Sequence, residues 1–168
     1  MKISMLAPLK NAASKITLLF VSIGFVSGAG ISVAEDMSIE ETIKARQHSY
    51  RDLGGAFKSI RDQLRTKKPN IYLIQPTVQQ MKDIADIDVQ RLWFPEGSGP
   101  EAGVETEAKA AIWENPEEFA KAQQALVDVM PKFLELAYAK DIEGLKKHYR
   151  KVGMACKGCH DQFREEDD

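Results

Sequence analysis

The feature that most constrains this chain is a pair of cysteines followed directly by a histidine near the C-terminus. The segment reads Cys156-Lys157-Gly158-Cys159-His160, and the chain holds no other cysteine. On a helix, cysteines three apart share one face, and His160, four past Cys156, lies on the same side. C-x-x-C-H is the pattern that attaches a haem through two thioether bonds, with the histidine as an axial ligand to iron. We therefore predict one covalently bound haem c per chain, held by a helix.

Two other chemistries use a C-x-x-C pair. A dithiol oxidoreductase of the thioredoxin kind places it after a strand in a βαβ unit, and no strand pattern stands nearby. A zinc site needs four ligands, and neither His48 nor His148 has ligand spacing to the cysteines. Covalent haem is the preferred interpretation, and a haem-free dithiol oxidoreductase is kept as an alternative.

The N-terminal segment has the pattern of a secretory signal. Three lysines precede or flank the start of an apolar run at 16–26, and this run of eleven residues is too short to span a bilayer. Small residues at 32–34 match the positions that a signal peptidase reads. We predict that 1–34 is a signal peptide and that the mature chain, 35–168, is periplasmic, without membrane insertion after cleavage. The location agrees with the motif, because c-type haem is attached outside the bacterial cytoplasm.

The mature span of 134 residues is enough for one domain with one core. It holds 20 basic and 25 acidic side chains, a net charge of −5. Basic runs interleaved with aromatic residues are missing, so a nucleic-acid partner is not expected.

The first mature helix is predicted over 38–66. Ser38 is an N-cap, and Glu41 three residues later completes a capping box. Two members of the apolar row stand out, because Arg46 is charged and Tyr50 has a polar tip; Gly54 and its neighbour Gly55 are unusual within a helix. The inward row, with steps of four and three, is Ile39, Ile43, Arg46, Tyr50, Leu53, Phe57, Ile60 and Leu64.

Three more amphipathic helices follow. The second is predicted over 76–92, opening at Pro76, and a glycine- and proline-rich loop covers 94–103 before a short turn at 105–113. Asn115 as N-cap opens the third, and the fourth begins after Asp141 and reaches about 165. The apolar row of the fourth helix includes both cysteines, so the motif lies in register with a core face. The sequence predicts an all-α protein, an antiparallel four-helix bundle with the haem in its core.

The chain resembles the class II c-type cytochromes, most closely cytochrome c′, in which the haem motif lies near the C-terminus of a four-helix bundle. Residues 156–164, CKGCHDQFR, match the family's C-x-x-C-H-x-x-aromatic-basic ending. Residues 43–57, IKARQHSYRDLGGAF, match its first helix, and the loop 93–113 is similar to its glycine-rich crossover.

The resemblance implies roles for single residues. Cys156 and Cys159 are the thioether anchors, and His160 is the proximal iron ligand. Arg46 corresponds to a first-helix arginine near a haem propionate, and Arg164 to a basic residue beside the proximal histidine. From the residues alone, Arg46 could instead extend to the bundle edge, and Arg164 could be an ordinary exposed side chain.

The resemblance also identifies the distal position, where low-spin members of the class place a methionine that binds iron. This chain has Tyr50 there, and a neutral phenol with a pKa near 10 is a poor iron ligand. Its ring is expected to cover the haem face and leave the iron five-coordinate. His48 points about 200° away around the helix. His148 is expected at the surface, and Met81 and Met130 in the core.

A five-coordinate iron implies, for this family, binding of nitric oxide and carbon monoxide, electron transfer, or both. A crowded distal side favours gases that need no hydrogen bond over oxygen. The alternative is a six-coordinate, low-spin electron carrier. We expect no enzymatic activity, because no acid–base pair or nucleophile converges on the motif, and the sequence does not identify a redox partner protein.

Family members commonly form homodimers through the first two helices. Gly54 and Gly55 suit close approach of two backbones, and the outward face is expected to include Ala45, Ser49, Ala56 and Ser59. The competing interpretation gives the two glycines an internal role, making room for Tyr50 or the haem.

Overall fold

The computed structural model describes residues 37–165. The signal peptide predicted over 1–34 therefore lies outside the described residues and stays a prediction. The helices are α1 (Ile39–Leu64), α2 (Ile71–Ala85), α3 (Val89–Trp93), α4 (Ala111–Glu114), α5 (Pro116–Tyr138) and α6 (Ile142–Phe163), with a 3₁₀ turn at Pro100–Ala102.

Helix α1 begins with the predicted capping box. The Glu41 backbone N–H donates to Ser38 Oγ at 3.2 Å, and the Ser38 backbone N–H donates to the Glu41 carboxylate at 2.9 Å. Ile39, predicted to face inward, is instead exposed. It lies in the first turn, and burial along the helix begins only at Thr42 and Ile43.

The second helix was predicted to begin at Pro76 and run to 92, and both ends are wrong. Asn70 Oδ1 accepts the backbone N–H of Tyr72 at 3.1 Å and starts α2 at Ile71, so Pro76 lies inside the helix. The chain then leaves the helix at Asp86, and Asp88 caps the separate short helix α3. A local cap that precedes a proline thus takes priority over the proline's own preference for the first turn.

The last two long helices begin where predicted. Pro116 opens α5, but the Asn115 side chain does not cap it and instead donates to the Ala111 carbonyl at 3.3 Å. Asp141 Oδ1 accepts the Gly144 N–H at 2.8 Å and caps α6.

The four long helices α1, α2, α5 and α6 form the predicted four-helix bundle, in which successive long helices pack together and α1 also contacts α6. No regular strand occurs within 37–165. The bundle core consists of Leu53, Ala56, Ile60, Leu64, Ile74, Val78, Met81, Ala85, Leu126, Met130, Phe133, Ala137, Leu145 and Val152. A second cluster, the crossover core, consists of Val89, Trp93, Phe94, Ile112, Phe119 and Phe163.

His148 lies in the bundle and not at the surface, which corrects the prediction. It is only 8% exposed, its Nε2 is 2.8 Å from the Val129 carbonyl oxygen, and its ring stacks on Phe133. It is a core histidine whose ring Nε2 is hydrogen-bonded to the backbone.

The connection between α3 and α5 is attached to the end of α6. Ala108 and Arg164 form an isolated antiparallel bridge, in which the Lys109 N–H donates to the Phe163 carbonyl at 3.0 Å. The Glu165 N–H donates to the Glu107 carbonyl at 2.8 Å. These bonds hold the crossover beside the turn that follows His160. Of the helices in the described part of the chain, none is both long and apolar enough to cross a membrane.

Candidate haem site

The two cysteines lie half-buried on the inner side of α6, as the register of the motif predicted. Cys156 packs against the bundle core, and Cys159 packs against the crossover core. Both are free thiols and not a disulfide. The two anchor positions therefore lie where the two cores of the molecule meet.

The thiols are poor candidates for redox exchange. Burial raises the pKa of Cys159 to about 11, with a further contribution from the charge of Cys156, and burial likewise raises the pKa of Cys156. Dithiol oxidoreductases need a thiolate near neutral pH, usually at a helix N-terminus, whereas this pair lies in the interior of α6. The geometry does not favour the dithiol alternative. Within residues 37–165, no group of three or more His, Cys, Asp or Glu side chains could hold a metal ion.

His160 is exposed at the C-terminal end of α6, one residue past Cys159. Removal of water by the surrounding protein lowers its pKa, and the positive charge of Arg164 lowers it further. The neutral imidazole that this favours is the form that binds iron. Arg164 Nε donates to Glu107 Oε2 at 2.6 Å, so this arginine also ties the end of α6 to the crossover.

Tyr50 lies close to Cys159, and the side-chain amide of Gln123 is near both residues. Gln123 Nε2 donates to the Tyr50 hydroxyl at 2.8 Å and lies 3.9 Å from Cys159 Sγ. The Tyr50 ring meets Trp93 edge-on, with centroids 5.4 Å apart. Burial, and next the charge of Cys159, raise the pKa of Tyr50 far above its usual value, so the phenol is neutral.

Gln123 was not assigned a role from the sequence. It projects from α5 between the buried residues Phe119 and Leu126. A polar side chain in an apolar row was the signal that identified Arg46, and the same signal was present at Gln123. Tyr50, the residue predicted to cover the distal side, therefore belongs to a hydrogen-bonded pair with Gln123.

Arg46 is buried, so its extension to the bundle edge is ruled out. Its guanidinium donates to the Trp93 carbonyl at 3.2 Å, to Ser98 Oγ at 3.1 Å and to Thr106 Oγ1 at 2.7 Å. It also lies 4.8 Å from the ring centre of Phe94. Ser98 and Thr106, which lie in the crossover, gave no sequence signal because loop hydroxyls are usually exposed.

Arg46 forms no ion pair with any carboxylate in residues 37–165, and burial lowers its pKa. A buried cation is stable only if an opposite charge or several hydrogen bonds compensate it. Neutral hydrogen bonds hold Arg46 in place, and the negative charge of Glu101 acts on it without forming an ion pair. An anionic group at this end of the bundle, such as a haem propionate, would give the guanidinium a direct charge partner.

The residues present fit a covalently attached haem. The site offers two neutral free thiols at the required spacing, a neutral imidazole, a neutral aromatic ring beside one thiol and a buried cation. On the far side of Cys156, the rings of Phe57 and Tyr149 stack 4.1 Å apart and join α1 to α6.

Comparison with known proteins agrees with this geometry. A family model described as Cytochrome C′ matches residues 41–164, which is most of the chain.

The chain belongs to the cytochrome c′ family.

A cytochrome c′ from Allochromatium vinosum is 25% identical over 156 residues, covering 93% of this chain and 99% of the relative. A cytochrome c′ from Alcaligenes xylosoxydans xylosoxydans is 28% identical over 127 residues, covering 75% and 94%. Like its family, the protein carries covalently bound haem c.

Solved structures of cytochromes c′ have the same fold. One, described as having an unusual ligand-controlled dimer dissociation, matches with a TM-score of 0.72 at 26% identity, covering 77% of this chain and 98% of that one. The nitric oxide complex of a variant from Alcaligenes xylosoxidans matches with a TM-score of 0.64 at 25% identity, covering 79% and 100%.

Proposed function

We propose that this protein is a periplasmic, five-coordinate haem protein that binds nitric oxide and carbon monoxide on the side covered by Tyr50 and also exchanges electrons. The observation that carries the proposal is the position of Tyr50. Its neutral phenol lies where a low-spin relative would supply a ligand, and Gln123 holds its hydroxyl beside Cys159.

Each residue of the site has a proposed task. Cys156 and Cys159 hold the porphyrin through thioether bonds, and His160 binds the iron as a neutral imidazole. Arg46 neutralises a propionate while its hydrogen bonds fix the crossover. Arg164 keeps its positive charge close to His160 and, through Glu107, fixes the end of α6. When bound, the haem supplies an iron with one open coordination position. We assign no catalytic residue.

The surroundings of Tyr50 support a preference among gases. Trp93 and Phe94 lie against its ring, so the distal side is crowded, and its polar groups, the Tyr50 hydroxyl and the Gln123 amide, are bonded to each other. Bound oxygen gains from a polar donor, whereas nitric oxide and carbon monoxide bind without one. The related Alcaligenes xylosoxidans protein, seen as a nitric oxide complex, supports the same ligand class.

The rival function is a six-coordinate, low-spin electron carrier, which needs a second iron ligand. The other four side chains weighed from the sequence are engaged elsewhere or exposed. His48 is exposed, with Nε2 3.6 Å from an Asp52 carboxylate oxygen, and His148 is bonded to a carbonyl in the core. Met81 and Met130 are fully buried in the bundle core. These positions favour five-coordination.

We also propose a homodimer through α1 and α2. Gly54 and Gly55 are exposed, and a Cβ on either would meet open space. Neither glycine therefore makes room for Tyr50, which removes that part of the internal interpretation. Ala56, placed on the outward face from the sequence, is buried and cannot contribute. A related cytochrome c′ with ligand-controlled dimer dissociation supports both a dimer and its dependence on ligand.

Titration of the reduced, haem-loaded protein with carbon monoxide tests the proposed function. We expect a saturable change in the absorption spectrum at one molecule of carbon monoxide per haem, with no ligand displaced from the protein. An unchanged spectrum at saturating carbon monoxide would refute gas binding and leave the electron carrier.

A further inference from the structure

Positive charge is concentrated in two segments of the mature chain. Residues 51–68 and 142–152 together hold ten lysines and arginines but only three acidic residues, a net charge of +7. The rest of 35–168 holds ten basic and 22 acidic side chains, a net charge of −12. The segments belong to the second half of α1 with the loop after it, and to the first half of α6.

The fold brings the two segments together. Phe57 of α1 stacks on Tyr149 of α6, and a Cβ built on Gly153 would lie 3.4 Å from the Phe57 ring. Beside this stack, basic residues recur at helical spacing on both elements. The two rows are Lys58, Arg61 and Arg65 along α1 and its C-cap, and Lys146, Arg150, Gly153 and Lys157 on α6.

We call Lys58, Arg61, Arg65, Lys146 and Arg150 the basic seam. Arg61 is half-exposed and the other four are exposed. Arg61 pairs with Asp62 at 3.0 Å and Lys146 with Glu143 at 2.8 Å. Lys58, Arg65 and Arg150 form no ion pair within residues 37–165. The seam therefore presents positive charge that the described part of the chain leaves uncompensated.

The basic seam lies next to one haem anchor. Tyr149 precedes Cys156 by two turns on the same side of α6, and Gly153 precedes it by one. Burial raises the pKa of the Tyr149 phenol. The positive charges of Arg61 and Arg65 lower this pKa, and the charge of Cys156 raises it. The Phe57–Tyr149 stack is thus close both to the arginines of the seam and to Cys156, which would hold one edge of the haem.

We propose that the basic seam is the docking surface for an acidic redox protein, which exchanges one electron with the haem at the Cys156 edge. The proposal rests on the proposed haem function of Cys156. A positive surface beside an active site, on a molecule that is otherwise negative, orients the encounter and accelerates it. Arginines suit such a surface, because the guanidinium pairs with carboxylates through two parallel hydrogen bonds.

A membrane surface fits less well. Helices that bind at a membrane interface combine basic residues with apolar side chains that enter the bilayer. The large exposed apolar side chains here are Met37, Ile39, Tyr72, Leu73, Leu92, Tyr138 and Met154, and none belongs to either row. The seam is flanked by glycines and by a partly buried aromatic stack.

Electron transfer with charged reagents tests the surface. The reduced, haem-loaded protein is oxidised in a stopped-flow instrument by anionic hexacyanoferrate(III) and, separately, by a cationic cobalt(III) phenanthroline complex. The test variant combines Lys58→Glu, Arg65→Glu and Arg150→Glu. The control variant combines Arg91→Glu, Lys121→Glu and Lys132→Glu, which change the net charge equally on exposed positions outside the seam.

At low ionic strength we expect the test variant to slow the anionic oxidant by about tenfold or more, the scale of electrostatic steering, and to speed the cationic one. High salt should abolish both effects. The control variant should change neither rate by more than about twofold. Equal effects of the two variants would overturn the proposal, because net charge alone would then explain the rates.

A second measurement uses a reduced flavodoxin, an acidic one-electron protein, as the electron donor to the oxidised haem protein. Its rate should fall in the test variant and not in the control. Seam-dependent sedimentation with phosphatidylglycerol vesicles, together with an unchanged flavodoxin rate, would assign the surface to a membrane and overturn the proposal. The absorption spectrum and carbon monoxide titration of each variant report separately on the haem, so a failure of the proposed function is distinguished from a failure of the seam.

Discussion

At the scale of single residues, Tyr50 is the side chain on which the proposed iron coordination depends. The first helix places residue 50 against the haem anchor Cys159, and Gln123 holds the hydroxyl there. A thioether at this position could bind iron, whereas the neutral phenol does not. We therefore propose that residue 50 sets the coordination number within a common fold.

Replacement of Tyr50 by methionine should convert the iron toward six-coordinate and low-spin. The ferrous absorption spectrum and a sulfur-to-iron band in the ferric spectrum report the change. Tyr50→Phe is the matched control, since it keeps the ring and removes only the hydroxyl, and it should stay high-spin. A Tyr50→Met protein that remains fully high-spin would show that residue 50 does not face the iron.

Arg46→Ala should lower the free energy of unfolding by about 1–3 kcal/mol, because it leaves the Trp93 carbonyl, and the propionate with which we propose that Arg46 pairs, without their donor. The redox potential should shift as well, since a positive charge near a propionate is lost. Chemical denaturation and potentiometric titration measure the two effects.

Gln47→Ala is the control for Arg46, because Gln47 donates to the Glu105 carbonyl of the same loop from an exposed position. It should change stability little. An Arg46→Ala protein with unchanged redox potential and unchanged stability would show that Arg46 neither pairs with a propionate nor stabilises the crossover.

At the scale of helices, α1 owes its first turn to the Ser38–Glu41 capping box. Ser38→Ala should destabilise the protein by about 1 kcal/mol, the usual cost of losing an N-cap. Hydrogen bonds from Ser38 lower the pKa of Glu41 below its ordinary 4.5. The stabilisation from Glu41 is complete at neutral pH and is lost as the pH falls through its folded-state pKa.

The same helix gives a prediction for acid unfolding. Glu41→Gln should flatten the loss of stability on acidification below pH 4.5, measured as the denaturation midpoint at several pH values. The exposed Glu40→Gln is the control, and the two variants having identical pH profiles would contradict the capping role of Glu41.

Local signals decided which helices could be predicted. Caps and periodic apolar rows gave both ends of α1 and α6 to within two residues and the start of α5, and the register of Cys156 and Cys159 followed from α6. Helix α2 was misplaced because Pro76 is an ambiguous signal, and Asn70 was not recognised as the cap. His148 and Ser98 depend on contacts between elements distant in sequence, which no local pattern encodes, whereas Gln123 did carry a local signal as a polar residue in an apolar row.

At the scale of the whole molecule, pairing of two chains through α1 and α2 should respond to gas binding. We expect a dimer in sedimentation equilibrium at micromolar concentration, and Gly55→Leu should weaken it because a side chain would enter the space between backbones. Gln124→Leu on the exposed side of α5 is the control. Unchanged association in both variants, with and without carbon monoxide, would exclude this interface.

Covalent attachment of the haem can be tested on the whole protein by its mass. Intact-mass analysis of protein exported together with the maturation machinery should show one haem added to residues 35–168. Cys156→Ala and Cys159→Ala together should give the bare polypeptide mass. Bare mass for the unmutated protein would refute covalent haem at these cysteines.

The absorption spectrum of the reduced protein, without added ligand, tests five-coordination of the haem most directly. Protein exported with its haem is reduced under an inert atmosphere and measured near neutral pH. We expect the broad bands of high-spin ferrous haem, because Tyr50 covers the iron without binding it. Sharp low-spin bands, together with a sulfur-to-iron band after oxidation, would contradict this and identify the protein as a six-coordinate electron carrier.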